Sequence, residues 1–73
     1  MKLSATIILI EDIDKIYESL LPEEKKIKRS EIKLTKDTDK LTITINADDA
    51  VALRASVNSV LKLLTIYEKM KTI

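Results

Sequence analysis

The stretch that decides the fold is residues 48–71, which read DDAVALRASVNSVLKLLTIYEKMK. It predicts one long helix, because no Gly or Pro interrupts it and lysines lie near its end. Asp48 is expected to cap this helix, since its short side-chain oxygen can accept from the unpaired N–H groups of the first turn. Asp49 adds a second negative charge beside the positive end of the helix dipole.

The predicted helix carries two apolar stripes where a helix at the edge of a small monomer needs one. At about 100° per residue, the first stripe consists of Leu53, Val57, Val60, Leu61 and Leu64. The second stripe consists of Ala52, Ala55, Ser56, Ser59, Leu63, Ile66 and Met70. Small residues in the first half of the second stripe would let another helix approach closely. That helix could belong to a partner, which makes the stripe an interface, or to the same chain, which makes it core.

The polar residues of the helix share the remaining arc, which we call the polar arc: Arg54, Asn58, Lys62, Thr65 and Lys69. Arg54 and Asn58 are four residues apart, so they can bond each other or share one partner. This pair is either a polar contact point beside an interface or an ordinary solvated face.

Composition excludes most kinds of catalytic site. The chain has 73 residues and forms one small domain, residues 1–73, without Cys, His or Gly. Disulfides, histidine–cysteine zinc sites, histidine-activated nucleophiles and glycine-rich phosphate loops are therefore absent. The carboxylate pairs have capping or loop explanations; they are Asp12/Asp14, Glu23/Glu24 and Asp48/Asp49. We expect no catalytic, metal or cofactor-binding residue, and association with a partner is the remaining route to stability.

The charge balance and the apolar runs indicate where in the cell the protein is expected and whether its charge implies nucleic acid. Thirteen basic and twelve acidic residues give a net charge of +1, which is too weak a field to imply nucleic acid by itself. The apolar run near Ile10 is short and acidic residues follow it at once, unlike a signal peptide. No stretch of about 18 consecutive apolar residues is present, so a cytoplasmic protein without a membrane span is expected. Lys and Glu richness resembles thermophile, archaeal-like usage.

The remaining elements follow from changes of period. Residues 2–10 alternate as a strand, residues 13–21 follow a helical period that Pro22 ends, and residues 30–36 and 40–46 alternate again. Asp12 is placed to cap the short helix. The predicted fold is α+β in the order β-α-β-β-α, a three-stranded antiparallel sheet with the last strand central. Both helices cover one face, and the open sheet leaves two edges available for association.

Residues 22–30 read as a charged loop that contains the one basic cluster: Lys25, Lys26, Lys28 and Arg29. Clustered cations can bind phosphates by releasing counterions. Neighbouring glutamates offset this charge, so an ordinary solvated loop is the alternative. No aromatic residue accompanies the cluster, so any RNA contact would be to the backbone.

The run LRASVNSVLKLL, residues 53–64, resembles the small Pcc-type (CTAG/Pcc) subunit of the KEOPS complex. The resemblance extends in pattern over nearly the whole chain and implies the same fold. It also implies a non-catalytic subunit that dimerises with itself or a paralogue and docks by its helices on the catalytic, ATPase-fold subunit. That complex makes threonylcarbamoyladenosine at position 37 of tRNA, and the small subunit would aid assembly and tRNA engagement. A free-standing RNA-binding or protein-interaction module is the alternative.

Overall fold

In the computed structural model, residues 2–23, 26–27 and 30–71 are described, with residues 23, 26, 27 and 71 described by their backbone alone. The elements in order are β1 (Leu3–Leu9), α1 (Ile13–Leu20), a 3₁₀ turn (Leu21–Glu23), β2 (Lys26–Ile27), β3 (Ser30–Lys36), β4 (Leu41–Ala47) and α2 (Ala50–Lys71). The α+β class and the β-α-β-β-α order are confirmed, and β2 is a two-residue addition within the segment expected to be a loop.

The sheet has the order β1-β4-β3-β2, with antiparallel neighbours throughout. The predicted three-stranded sheet is its main part, and β4 is central, as expected. A four-residue turn joins β3 to β4, in which the Asp37 N–H donates to the Lys40 carbonyl at 2.8 Å. β1 has no neighbour on its outer side among the described residues, whereas β2 lies outside β3.

Both helices cover one face of the sheet, and strict alternation explains why. Every second residue of β4 points to the helices and is buried: Leu41, Ile43, Ile45 and Ala47. The intervening residues of β4 are two threonines and an asparagine on the open face. Ile16 and Leu20 of α1 and Val60 of α2 close the core from above.

α1 begins in an unexpected conformation. Asp12 lies in the left-handed region at φ 51° and makes no side-chain capping bond, so its predicted capping role is wrong. α1 is instead tied to the end of β3, because the Lys36 ammonium lies 3.1 Å from an Asp14 carboxylate oxygen and 4.9 Å from the centre of the Tyr17 ring. The Lys36 ammonium therefore makes an ion pair with one residue of α1 and a cation–π contact with another.

The cap of α2 is Asp49 rather than Asp48. The Ala52 N–H donates to an Asp49 carboxylate oxygen at 2.8 Å, and the Leu53 N–H donates to the Asp49 carbonyl at 3.0 Å. The expectation for Asp48 was wrong by one residue, because the buried alternation of β4 continues to Ala47 and the helix starts only at Ala50. Asp48 is exposed in the connection.

Candidate functional site: the exposed faces of α2 and the edge of β1

The first stripe of α2 supplies the contact with the sheet. Val60 is 1% exposed, and Leu53, Val57 and Leu64 are half-buried against the core. Leu61 is an exception at 46% exposure, so its assignment to the core stripe is corrected. It lies at the margin of the stripe and lines a groove between α2 and β1.

The second stripe is largely uncovered. Ala55, Ser59, Leu63, Ile66 and Met70 are exposed, and only Ala52 and Ser56 are half-buried. Leu63 is 37% exposed, Ile66 45% and Met70 68%, so large apolar side chains form a continuous exposed patch on this face. α1 therefore does not cover most of this stripe. Its role as an interface stays a prediction.

A groove of about 770 Å³ lies on the opposite flank of α2, along the second half of β1. The β1 side of the groove is residues 7–10, and the α2 side includes Leu61, Leu64 and Thr65. Glu11, Asp12 and Glu68 add negative charge to its lining. Sequence reasoning missed this groove; the available signals were the marginal helical angle of Leu61 and the apolar Ile8 and Ile10.

Ile8 and Ile10 are 57% and 75% exposed near the free edge of β1. They interrupt a face that is otherwise polar, since Thr6 pairs with Thr44 and Ile8 pairs with Thr42 across the sheet. β1 carries no Pro, and the side chains of Ser4, Thr6 and Ile8 are uncharged. An edge with these properties is open to pairing with another strand.

The polar arc faces solvent along the whole of α2. Arg54, Asn58, Lys62, Thr65 and Lys69 are all exposed. The Thr65 hydroxyl donates to the Leu61 carbonyl one turn earlier, at 2.8 Å. Within the part of the chain that the structure describes, the side chains of Arg54 and Asn58 bond neither each other nor another residue.

The predicted basic cluster lies largely outside the described residues. Lys25, Lys28 and Arg29 lie outside the described residues, and only the backbone of Lys26 is described, paired with Glu31. The cluster stays a prediction. No group of three or more Asp or Glu among the described residues is arranged to hold a metal ion.

By length and composition alone, α2 could cross a membrane, although no run of about 18 apolar residues was found in the sequence. An 18-residue window within Ala50–Met70 has a mean hydropathy of 1.2, and 17% of that window is buried. Arg54 and Lys62 lie inside the helix, and each would cost about 2.5–3.5 kcal/mol at the centre of a bilayer. Crossing would also pull Val60 out of the core.

Comparison with known families settles the membership of the chain. A model of the family Pcc1, described as transcription factor Pcc1, matches residues 11–71. The chain belongs to the Pcc1 family. This is the Pcc1 family of the KEOPS complex, as the resemblance at residues 53–64 indicated, and its members are accessory subunits. The match takes in α1, both long strands of the hairpin and all of α2. No curated protein and no solved structure matches the chain.

Proposed function

We propose that this chain is a non-catalytic, dimerising assembly subunit of the cytoplasmic KEOPS complex. It docks on the catalytic subunit and helps to hold tRNA while adenosine 37 receives its threonylcarbamoyl group. The observation that carries the proposal is the exposed second stripe of α2, in a chain that belongs to the Pcc1 family. An apolar helix face that its own domain does not cover fits a partner helix.

Docking through the second stripe follows from its composition. Ala55 and Ser59 offer little side-chain bulk, so a partner helix can approach the backbone closely there. Leu63, Ile66 and Met70 then supply the apolar area farther along the same face. Removing such apolar area from water contributes about 25 cal/mol per Å² in favour of association, and the entropy lost when two chains join opposes it.

Dimerisation uses a different surface, the free edge of β1. Two antiparallel copies of β1 related by a two-fold axis at its middle residue would place Thr6 opposite Thr6, and Leu3 opposite Leu9 of the second copy. This register keeps the helices of both copies on the same face. It brings Lys2 near the acidic Glu11 of the second copy, and it lays the start of the second β1 along the groove.

The decisive experiment separates docking from folding. Leu63→Glu and Ile66→Glu each place a charge in the proposed contact, so binding to the catalytic subunit should weaken by about 3–5 kcal/mol. Circular dichroism should show an unchanged fold, because both side chains are exposed. Val60→Glu is the control that should unfold the domain, since Val60 is fully buried.

Two outcomes contradict docking through this stripe. If Leu63→Glu and Ile66→Glu unfold the protein as Val60→Glu does, the second stripe is part of the core. If both variants stay folded and bind the catalytic subunit normally, docking uses another surface.

The second candidate function is a free-standing RNA-binding module that uses Lys25, Lys26, Lys28 and Arg29. It predicts that the isolated chain binds tRNA with a steep salt dependence. The assembly function predicts strong binding only when the catalytic subunit is present. Sedimentation of labelled tRNA with each mixture distinguishes the two.

A further inference from the structure

The charges of this chain are segregated along α2. Residues 50–71 hold four basic residues and one acidic residue, Glu68, whereas the rest of the chain holds nine basic and eleven acidic residues. Glu68 lines the groove beside β1. The nearly neutral chain therefore has a positive side that its net charge of +1 conceals.

The polar arc arranges this charge in a line. Arg54 and Lys62 are eight residues apart, about 12 Å along the helix, and Lys69 follows about 10 Å farther on. Asn58 and Thr65 lie between them on the same arc and add hydrogen-bonding groups. No carboxylate of the described residues pairs with Arg54 or Lys62, so both cations are available.

We propose that the polar arc of α2 binds the sugar–phosphate backbone of RNA. Arg54 and Lys62 would each neutralise a separate phosphate, and Asn58 would donate to a phosphate or ribose oxygen between them. No aromatic side chain lies on the arc to stack on bases, so the proposed contacts are to the backbone. This assignment rests on the proposed function, in which the catalytic subunit brings tRNA to the docked chain.

An acidic protein surface fits the arc less well than RNA does. A protein interface needs a buried apolar or aromatic anchor near its centre. Among the described residues, Val51 lies beside the arc at the extreme start of α2, and Leu61 lies at its edge, where it lines the groove beside β1. The apolar anchors of this helix, Leu63 and Ile66, belong to the neighbouring second stripe. The arc remains outward when that stripe is covered.

The test compares salt dependence in the complex of this chain with the catalytic subunit, with tRNA as the probe. Arg54→Gln combined with Lys62→Gln should reduce the slope of log affinity against log salt by about 1.4–1.8, because each lost phosphate contact removes about 0.7–0.9. Lys33→Gln combined with Lys40→Gln is the matched control. It makes the same change in net charge at exposed positions on the sheet and the hairpin turn, and it should leave the slope nearly unchanged.

Three outcomes would overturn the assignment. An unchanged slope, or an equal loss in the control, would show that no phosphate contact is specific to the arc. Tighter binding of duplex DNA than of tRNA would reassign the nucleic acid. Loss of the protein complex itself, measured by sedimentation, would make the arc a protein contact. If the unaltered chain fails to bind the catalytic subunit, the proposed function is wrong. The salt dependence of tRNA binding by the chain alone, with and without the Arg54→Gln and Lys62→Gln changes, then tests whether the arc binds RNA.

Discussion

Asp48 and Asp49 are adjacent carboxylates at the start of α2, and one hydrogen bond distinguishes them. Asp49→Ala should lower the free energy of unfolding by about 1 kcal/mol, because it leaves the Ala52 N–H without its capping acceptor. Asp48→Ala removes the same charge beside the helix dipole and should cost only a few tenths of a kcal/mol. Urea denaturation of both variants checks the difference; equal losses would mean that charge alone stabilises this end.

Residue identity predicted the kind of cap but not its position. Either aspartate suits the cap chemically, and the choice depends on where the buried alternation of β4 ends. Asp12 illustrates a second limit. Its left-handed backbone is set by the path from β1 into α1, and Asp tolerates that conformation better than a β-branched residue would. No sequence pattern indicated that path.

At the scale of elements, the edge of β1 is the feature that most affects association. Thr6→Lys should abolish dimer formation, because the proposed register sets two lysines directly opposite each other on one sheet face. Thr35→Lys is the matched control, exposed on the same face but on β3. Sedimentation velocity gives the mass of both. A dimeric Thr6→Lys variant would exclude this register.

The main elements were predictable because apolar and polar residues repeat in them with a regular strand or helix period. The strict alternation of β4 and the uninterrupted α2 place both within two residues of their predicted bounds. The two-residue β2 was not predictable, since so short a strand has no period of its own and exists only by pairing with β3. The groove was also missed, because it depends on the spacing between β1 and α2 rather than on either sequence.

Among the described residues the core lies on one face of the sheet, and a chain of this size gains little stability from a core of that kind. Its melting temperature should therefore rise with protein concentration over the micromolar range, since a dimer stabilises the folded state by mass action. Differential scanning calorimetry at several concentrations measures this, with Thr6→Lys as the monomeric control. A melting temperature independent of concentration, at a mass of one chain, would contradict dimerisation.

The central position of β4 also determines when β1 can pair while the chain is being synthesised. Leu9 pairs with Leu41 and Leu3 pairs with Ala47, so no residue of β1 can find its partner strand until 32 to 44 further residues have been added. At about 5–20 residues per second, that delay lasts about 2–9 s. For those seconds the nascent chain presents an apolar segment with nothing to cover it. The alternating Ser4 and Thr6 keep the segment from being uniformly apolar during this interval.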